Sequence, residues 1–390
     1  VVALAALLLA VENGYQAAVM APTEILAEQH YLTLRQMLEG LEVKVELATG
    51  RMGQKRKREL YQKIARGESQ IIIGTHALIE RGVKFSNLAL AVIDEQHKFG
   101  VMQRGRLRKK GENLDILVMT ATPIPRTLAL TAYGDLDVSV IDELPPGRRK
   151  VLTQGLSEQE AYRIVIDGVK KGQQAYIVYP IINESDKLEL RAAVKMAEKL
   201  MATVFRDFRV GLLHGQMKSE EKESVMIKFL NREFDILIAT TIIEVGIDVA
   251  NACLMVIEHS ERFGLATLHQ LRGRVGRGTE QSVCILLGRP KTEEAKKRLQ
   301  IMMETNDGFR IAEEDLRLRG AGEFFGTQQH GLPEFKMGNI VSDYRELEQA
   351  RRAAFHLVNS DPLLTFPENG VIKQKFKEKF AKRFGLAGVG

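Results

Sequence analysis

The chain has 390 residues, enough for roughly two to three domains of ordinary size. Its 45% hydrophobic and 27% charged content supplies ample core and excludes a globally disordered chain. Lys and Arg outnumber Asp and Glu by 56 to 50, so the net charge of +6 says less about partners than where the charge clusters.

The apolar opening Val1–Val11 is too short to span a bilayer and predicts a buried helix. It has no initiator Met, and the chain is expected to be a piece of a larger protein. Gln16–Met20 predicts a strand, and Pro22-Thr23-Glu24 is helix-start chemistry before Ile25. Strands follow at Val43–Ala48 and Gln70–Ile73, with a basic helix, Lys55–Arg66, between them. Leu88–Ile93 and Ile116–Met119 complete a strand-helix alternation that predicts a doubly wound domain with a parallel sheet. Pro, Gly and charge in Leu144–Lys150 read as an interdomain linker. A second α/β series follows, with strands at Gln174–Val178, Val210–Leu213, Ile236–Ala239, Leu254–Ile257 and Val283–Leu287. Cys253 and Cys284 each lie inside an apolar strand-like run and read as buried thiols. From Lys291 the pattern turns helical: Thr292–Glu304, Gly308–Leu318, a Gly-rich stretch Arg319–Gly331, then Tyr344–Leu357 and a Lys/Phe tail. The expected divisions are 1–145, 146–290, 291–345 and 346–390.

The chemistry concentrates where strands end. A short aliphatic run with no alternation is a strand buried on both faces, and ligands of such sheets sit at the strands' carboxyl ends. Leu88–Ile93 runs straight into Asp94-Glu95-Gln96-His97. A phosphate-bridging divalent cation needs a hard oxygen and an attacking water needs a base, which Asp94 and Glu95 would supply. The plain alternative is a solvated carboxylate pair at a turn. Thr120–Pro123, Ala239–Asp248, Leu212–Met217 and Gln270–Gly278 read as further strand-end loops. The last sets three arginines among three glycines. Glycines let the backbone approach a ligand, and the guanidinium fork suits phosphate oxygens. Basic clusters at Arg51–Arg66 and Arg104–Lys110 fit the phosphates of a nucleic acid, although a charge run is often only a solvated face.

The segments Val19–His30, Gly74–Ile79, Asp94–Gly100, Val118–Leu130, Tyr133–Pro146 and Gln270–Gly278 resemble a superfamily 2 helicase core of the DEXH-box type, and within it the RecG-type branched-DNA helicases. The likeness covers essentially the whole chain. It implies two tandem RecA-like parallel-sheet α/β domains, then a helical hairpin and a helical tail. It further implies ATP and Mg²⁺ as cofactors, with Asp94 holding the metal and Glu95 activating water. His97, Thr120 and Thr122 would couple nucleotide state to DNA. Gly246 and Asp248 would touch both, Gln270 would meet nucleotide, and Arg274 and Arg277 would be arginine fingers. In the translocation motif the matching letters include Arg317 and Arg319, with Gly322, Gly326 and Gln329 in its loop; His330 departs from the small residue expected there.

The implied partner is branched or duplex DNA, handled by a monomeric motor in the bacterial cytoplasm, with a single-strand-binding protein as a further candidate and no membrane. The function implied is ATP-driven remodelling of forks and junctions in recombination and repair. No GxxxxGK[ST] string occurs in the 390 residues. The chain is therefore expected to lack the phosphate cradle and the family's N-terminal wedge domain. One alternative is a DNA-binding remnant without ATP turnover. A second is a transcription–repair coupling translocase, which shares the hairpin.

Overall fold

The structure is a computed structural model that describes residues 1–50, 52–80, 82–95, 107, 110–111, 113–121, 137–141, 143, 148–180, 187–240, 249–325 and 344–387. Its first α/β series runs α1 (Val2–Glu12), β1 (Gln16–Met20), α2 (Glu24–Met37), β2 (Val45–Ala48), α3 (Gln54–Ala65), β3 (Ile71–Gly74), β4 (Leu88–Asp94) and β5 (Asp115–Met119). The strands form one parallel sheet in the order β2-β3-β1-β4-β5.

Side chains alternate across the pleat, so each face needs its own cover. Ala17, Val19, Ile71, Ile73 and Val92 pack with Leu7 and Val11 of α1 and with Leu26, Ala27 and Leu34 of α2. Ala18, Met20, Ile72, Ala91 and Ile93 pack with Leu60 and Ile64 of α3. Helices thus cover both faces, which is why β1 and β3 are buried throughout and, after Gln16, read as apolar runs without alternation.

The second series runs β6 (Leu152–Gly155), α4 (Glu158–Lys170), β7 (Gln174–Tyr179), α5 (Lys187–Ala202), β8 (Val210–Leu213), α6 (Ser219–Leu230), β9 (Ile236–Thr240), β10 (Ala252–Ile257), α7 (Leu265–Arg272) and β11 (Val283–Leu286). Its parallel sheet has the order β6-β11-β10-β7-β9-β8. Read from β8 to β11, this is the first sheet's order repeated, with β6 added at one edge. The likeness reaches single side chains. Gln16 opens β1 and donates to the carbonyls of Ile64 and Ser69 at 3.0 and 2.7 Å. Gln174 opens β7 and donates to Phe229 and Phe234 at 2.6 and 2.8 Å. Each buried amide ties the central strand to the helix and turn that precede its neighbour, meeting backbone groups that burial would otherwise leave unpaired. Both cysteines are buried thiols, and burial pushes Cys284 up to about 12.

Helices α8 (Glu293–Glu304), α9 (Gly308–Phe325), α10 (Tyr344–Ser360) and α11 (Gly370–Ala387) follow. The chain divides into two compact units, Val1–Pro123 with Leu144–Ile311, and Ile124–Glu143 with Ala312–Gly390. Among the described residues, no helix is long and apolar enough to cross a membrane.

Several expectations need correction. α1 is not a buried helix: Leu7 and Val11 face the sheet, while Val2 and Leu9 are 60% and 64% exposed. It covers one face of a sheet, and its Ala/Leu composition conceals which side that is. β5 is only half-buried, because it is an edge strand. β6 has no apolar run to announce it. α9 does not stop at Leu318 but continues through Arg319, Gly320 and Gly322 to Phe325. A helical glycine costs about 1 kcal/mol relative to alanine yet keeps its N–H, so it weakens the ladder without breaking it.

Candidate functional site

β4 lies between β1 and β5, with Ile93 in register with Met20 and Asp94 with Met119. Asp94 therefore emerges at the carboxyl end of a central strand, where an α/β sheet presents side chains to a ligand. Its Oδ1 accepts a hydrogen bond from the Glu95 amide at 3.0 Å, and its Oδ2 lies 2.8 Å from His30 Nε2. With the imidazole proton on Nε2, the carboxylate accepts both. Glu95 turns the chain off the strand at φ +50°, a left-handed conformation that non-glycine residues adopt at a cost of about 1–2 kcal/mol.

Sequence reasoning missed His30. It sits on α2, whose first turn is closed by Thr23 Oγ1 accepting from the Leu26 amide at 3.4 Å. Glu24 Oε1 accepts from the Gly50 amide at 2.7 Å and ties the same turn to the loop after β2. Leu26, Ala27 and Leu34 are the buried face of α2, and helical spacing sets His30 on that stripe. A titratable ring in phase with a helix's apolar face was the available signal.

The donor set at β4 fits magnesium. Mg²⁺ is usually held by one or two carboxylates and completed by water and phosphate oxygens. Asp94 offers a hard oxygen with 21% of its side chain exposed. Among the described residues, no group of three His, Cys, Asp or Glu side chains forms an enclosing cage. The equivalent carboxylate of the second sheet is of another kind. Glu258, just after β10, is buried, accepts a hydrogen bond from Tyr162 at 2.6 Å, and is pushed upward by that burial. It is sealed where Asp94 is open.

The arginine–glycine stretch is placed differently from its expectation. It is not a loop at a strand's carboxyl end: Gln270 to Arg272 form the last turn of α7, and the chain then descends towards β11. Gly276 has φ +82°, and a Cβ there would stand 2.7 Å from Val151 Cγ2, beside the start of β6. Gln270 and Arg274 are half-buried and Arg277 is exposed, its Nε donating to the Gly273 carbonyl at 3.5 Å.

Arg272 is the arginine of this stretch that turns inward. It is 2% exposed and donates to the carbonyls of Met302 and Thr305 at 2.9 and 2.8 Å, and to His269 Nδ1 at 3.0 Å. Burial and then the Arg272 charge hold His269 down at about 4, so the ring is neutral and accepts. Arg272 pins the end of α7 to the end of α8, just ahead of the Asp307 side chain that accepts from the Phe309 amide at 2.9 Å and caps α9.

The structure thus places the expected residues in separate groups: Asp94 and Glu95 at β4, then Gln270, Arg274 and Arg277 at the end of α7. Thr120 follows β5 and is exposed. Arg317 lies exposed on α9 and donates to Glu314 at 2.8 Å. Arg319 and Gly322 lie on the same helix, so Gly322 is not in a loop. His97, Thr122, Gly246, Asp248, Gly326 and Gln329 lie outside the described residues.

Three family models match the chain. They are DEAD/DEAH box helicase over residues 1–131, helicase conserved C-terminal domain over 159–279, and ATP-dependent DNA helicase RecG, domain 3, C-terminal, over 305–388. The chain is 49% identical over 382 residues to the ATP-dependent DNA helicase RecG of Streptococcus pneumoniae, covering 97% of this chain and 57% of that protein. It is 50% identical over 378 residues to that of Bacillus subtilis, covering 96% and 55%. The chain therefore spans about half the length of the curated relatives it matches. A solved structure of RecG bound to a three-way DNA junction is similar with a TM-score of 0.72 and 46% identity, over 89% of this chain and 45% of that one. A single-substitution variant of S. cerevisiae Dbp5 bound to RNA and ADP BeF3 shares the fold at 17% identity and a TM-score of 0.52, over 87% and 81% of the two chains.

Proposed function

The chain belongs to the RecG-type ATP-dependent DNA helicases, and from that premise we propose that it is the motor portion of an ATP-driven translocase that remodels branched DNA. The observation that carries the reading is the Asp94–Glu95 pair at the carboxyl end of β4, with Asp94 held by His30 and partly exposed to solvent. The junction-bound relative supports branched DNA as the substrate. Divisions at 145, 290 and 345 would separate two helicase domains, a translocation hairpin and a helical tail. We further propose a monomeric motor working on DNA in the bacterial cytoplasm, with a single-strand-binding protein as partner.

Asp94 would hold Mg²⁺, which would supply positive charge to offset that of the phosphates. Glu95 would orient the attacking water and accept its proton. Gln270 would meet the nucleotide. Arg274 and Arg277 would stabilise charge developing on the γ-phosphoryl group, a contribution of about 10³–10⁵ in rate for an arginine finger. His97, Thr120, Thr122, Gly246 and Asp248 would link nucleotide state to the DNA path. Arg317, Arg319, Gly322, Gly326 and Gln329 would act on the duplex. The chain holds no GxxxxGK[ST] string, so contacts to the other phosphates are assigned to none of its residues.

The test is ATP hydrolysis by the full-length gene product with a three-way junction or a linear duplex of equal length. Stronger stimulation by the junction, abolished by Glu95→Gln with nucleotide still bound, is the expected result. Equal stimulation by both DNAs removes branched DNA as the substrate, and undiminished hydrolysis in Glu95→Gln removes the base.

A further inference from the structure

A groove of about 800 Å³ runs along α3, within the basic stretch that the sequence marks at Arg51–Arg66. Four cations line it, Lys55, Lys57, Arg58 and Lys84, against one carboxylate, Glu59. We infer that this groove is a track for the phosphodiester backbone of DNA, a proposal that rests on the DNA-motor reading above.

The groove is built rather than incidental. Its far wall, at Gly82 and Lys84, is fastened by Lys110, whose Nζ donates to the carbonyls of Glu80 and Val83, both at 2.6 Å. Burial pulls the Lys110 ammonium downward from its ordinary value, and it remains the tie between two backbone oxygens. From the helix side, Lys57 Nζ donates to Glu80 Oε2 at 3.0 Å and stands 5.6 Å from the centre of the Tyr61 ring. Gly82 lies against that ring, since a Cβ there would meet Tyr61 Cε2 at 3.5 Å. Lys57 and Lys110 thus hold the walls, while Lys55, Arg58 and Lys84 are exposed. Lys55 and Arg58 are three residues apart and share one side of the helix.

The chemistry selects the occupant. Among the lining residues, Ala65 is the sole aliphatic side chain and the Tyr61 ring is already taken up by Gly82 and Lys57, so an amphipathic protein segment would find little to anchor on. A phosphate backbone needs only positive charge and N–H donors on a preorganised surface. Leu60 and Ile64 hold the opposite side of α3 in the core, so the basic side is presented on a rigid element.

The test is fluorescence anisotropy of a labelled duplex titrated with the full-length gene product at several KCl concentrations. The triple variant Lys55→Gln, Arg58→Gln, Lys84→Gln changes only exposed side chains. Its plot of log affinity against log salt is expected to be shallower by about 2–3, at roughly 0.9 per phosphate contact. Its affinity at moderate salt is expected to fall at least about tenfold. Lysine acetylation of the unaltered protein gives an independent readout: DNA should protect Lys55 and Lys84 more than Lys63, which lies on the same helix paired with Glu46 at 3.0 Å. Unchanged slope and affinity in the triple variant, or no selective protection, overturn the track and leave the DNA-motor reading standing. Absence of salt-dependent DNA binding by the unaltered protein overturns both.

Discussion

His30 Nε2 lies 2.8 Å from Asp94 Oδ2, a contact that fastens α2 to the end of β4. A partner of this kind fixes the orientation of a metal-binding carboxylate, and losing it typically costs about 10–100-fold in metal affinity or activity. His30→Ala is expected to raise the Mg²⁺ concentration for half-maximal ATP hydrolysis about tenfold or more, with junction affinity unchanged. His30→Asn, whose amide also donates, should recover part of the loss. A Mg²⁺ titration of hydrolysis in the full-length gene product checks this. Ordinary Mg²⁺ dependence in His30→Ala would reduce the contact to packing.

Arg272 supports the other group of candidate residues. Replacing it with Met keeps most of its length but removes every donor, depriving the buried Met302 carbonyl and the half-buried Thr305 carbonyl of this partner. Each such orphan costs about 1–3 kcal/mol, so Arg272→Met should lower the unfolding free energy by about 2–4 kcal/mol. A shifted urea midpoint is the signature. An unshifted one would mean that water replaces the guanidinium.

How much of this was legible depended on whether the signal was local. Asp94 could be found because an aliphatic run leads into it, and the run exists because helices cover both faces of β4. His30 could not, since on α2 it is one polar residue among many, marked only by its phase with Leu26 and Leu34. The arginine–glycine stretch was legible as a group but not residue by residue. Arg272, Arg274 and Arg277 look alike in sequence, and only the packing of α7 on α8 turns the first inward. The end of α9 was misplaced because glycines at 320 and 322 imitate a stop signal, although nothing in their chemistry breaks a helix. Gln16 and Gln174 had equivalent places in the two sheets, a relation visible only once the strand orders are known.

Gly276 is constrained twice. Its φ of +82° costs a side-chain-bearing residue about 1–2 kcal/mol, and a Cβ would stand 2.7 Å from Val151 Cγ2. Gly276→Ala is expected to destabilise the chain by about 2–3 kcal/mol. Gly53→Ala is the control, because a Cβ at Gly53 meets nothing within 4 Å and its φ of −57° suits alanine. Thermal unfolding of the two variants checks the difference. Equal melting temperatures would show that the segment after α7 yields to the added methyl group.

His269 should give the second sheet a pH dependence of defined sign. Burial, reinforced by the Arg272 charge, lowers the ring from 6.5 to about 4, while the unfolded chain keeps the ordinary value. Between those values the unfolded chain binds a proton that the folded chain refuses. Stability therefore falls as pH drops from about 6.5 towards 4, by about 3 kcal/mol in all, and this contribution levels off below. The protonated ring would also lose the lone pair that accepts from Arg272 Nη2, so acid should loosen the end of α7. His269→Gln retains an acceptor but does not titrate. Subtracting its stability curve from that of the unaltered protein removes every other titrating group common to both. The difference should slope through this window and be flat outside it. A flat difference throughout would mean that His269 titrates in the folded chain as it does in water.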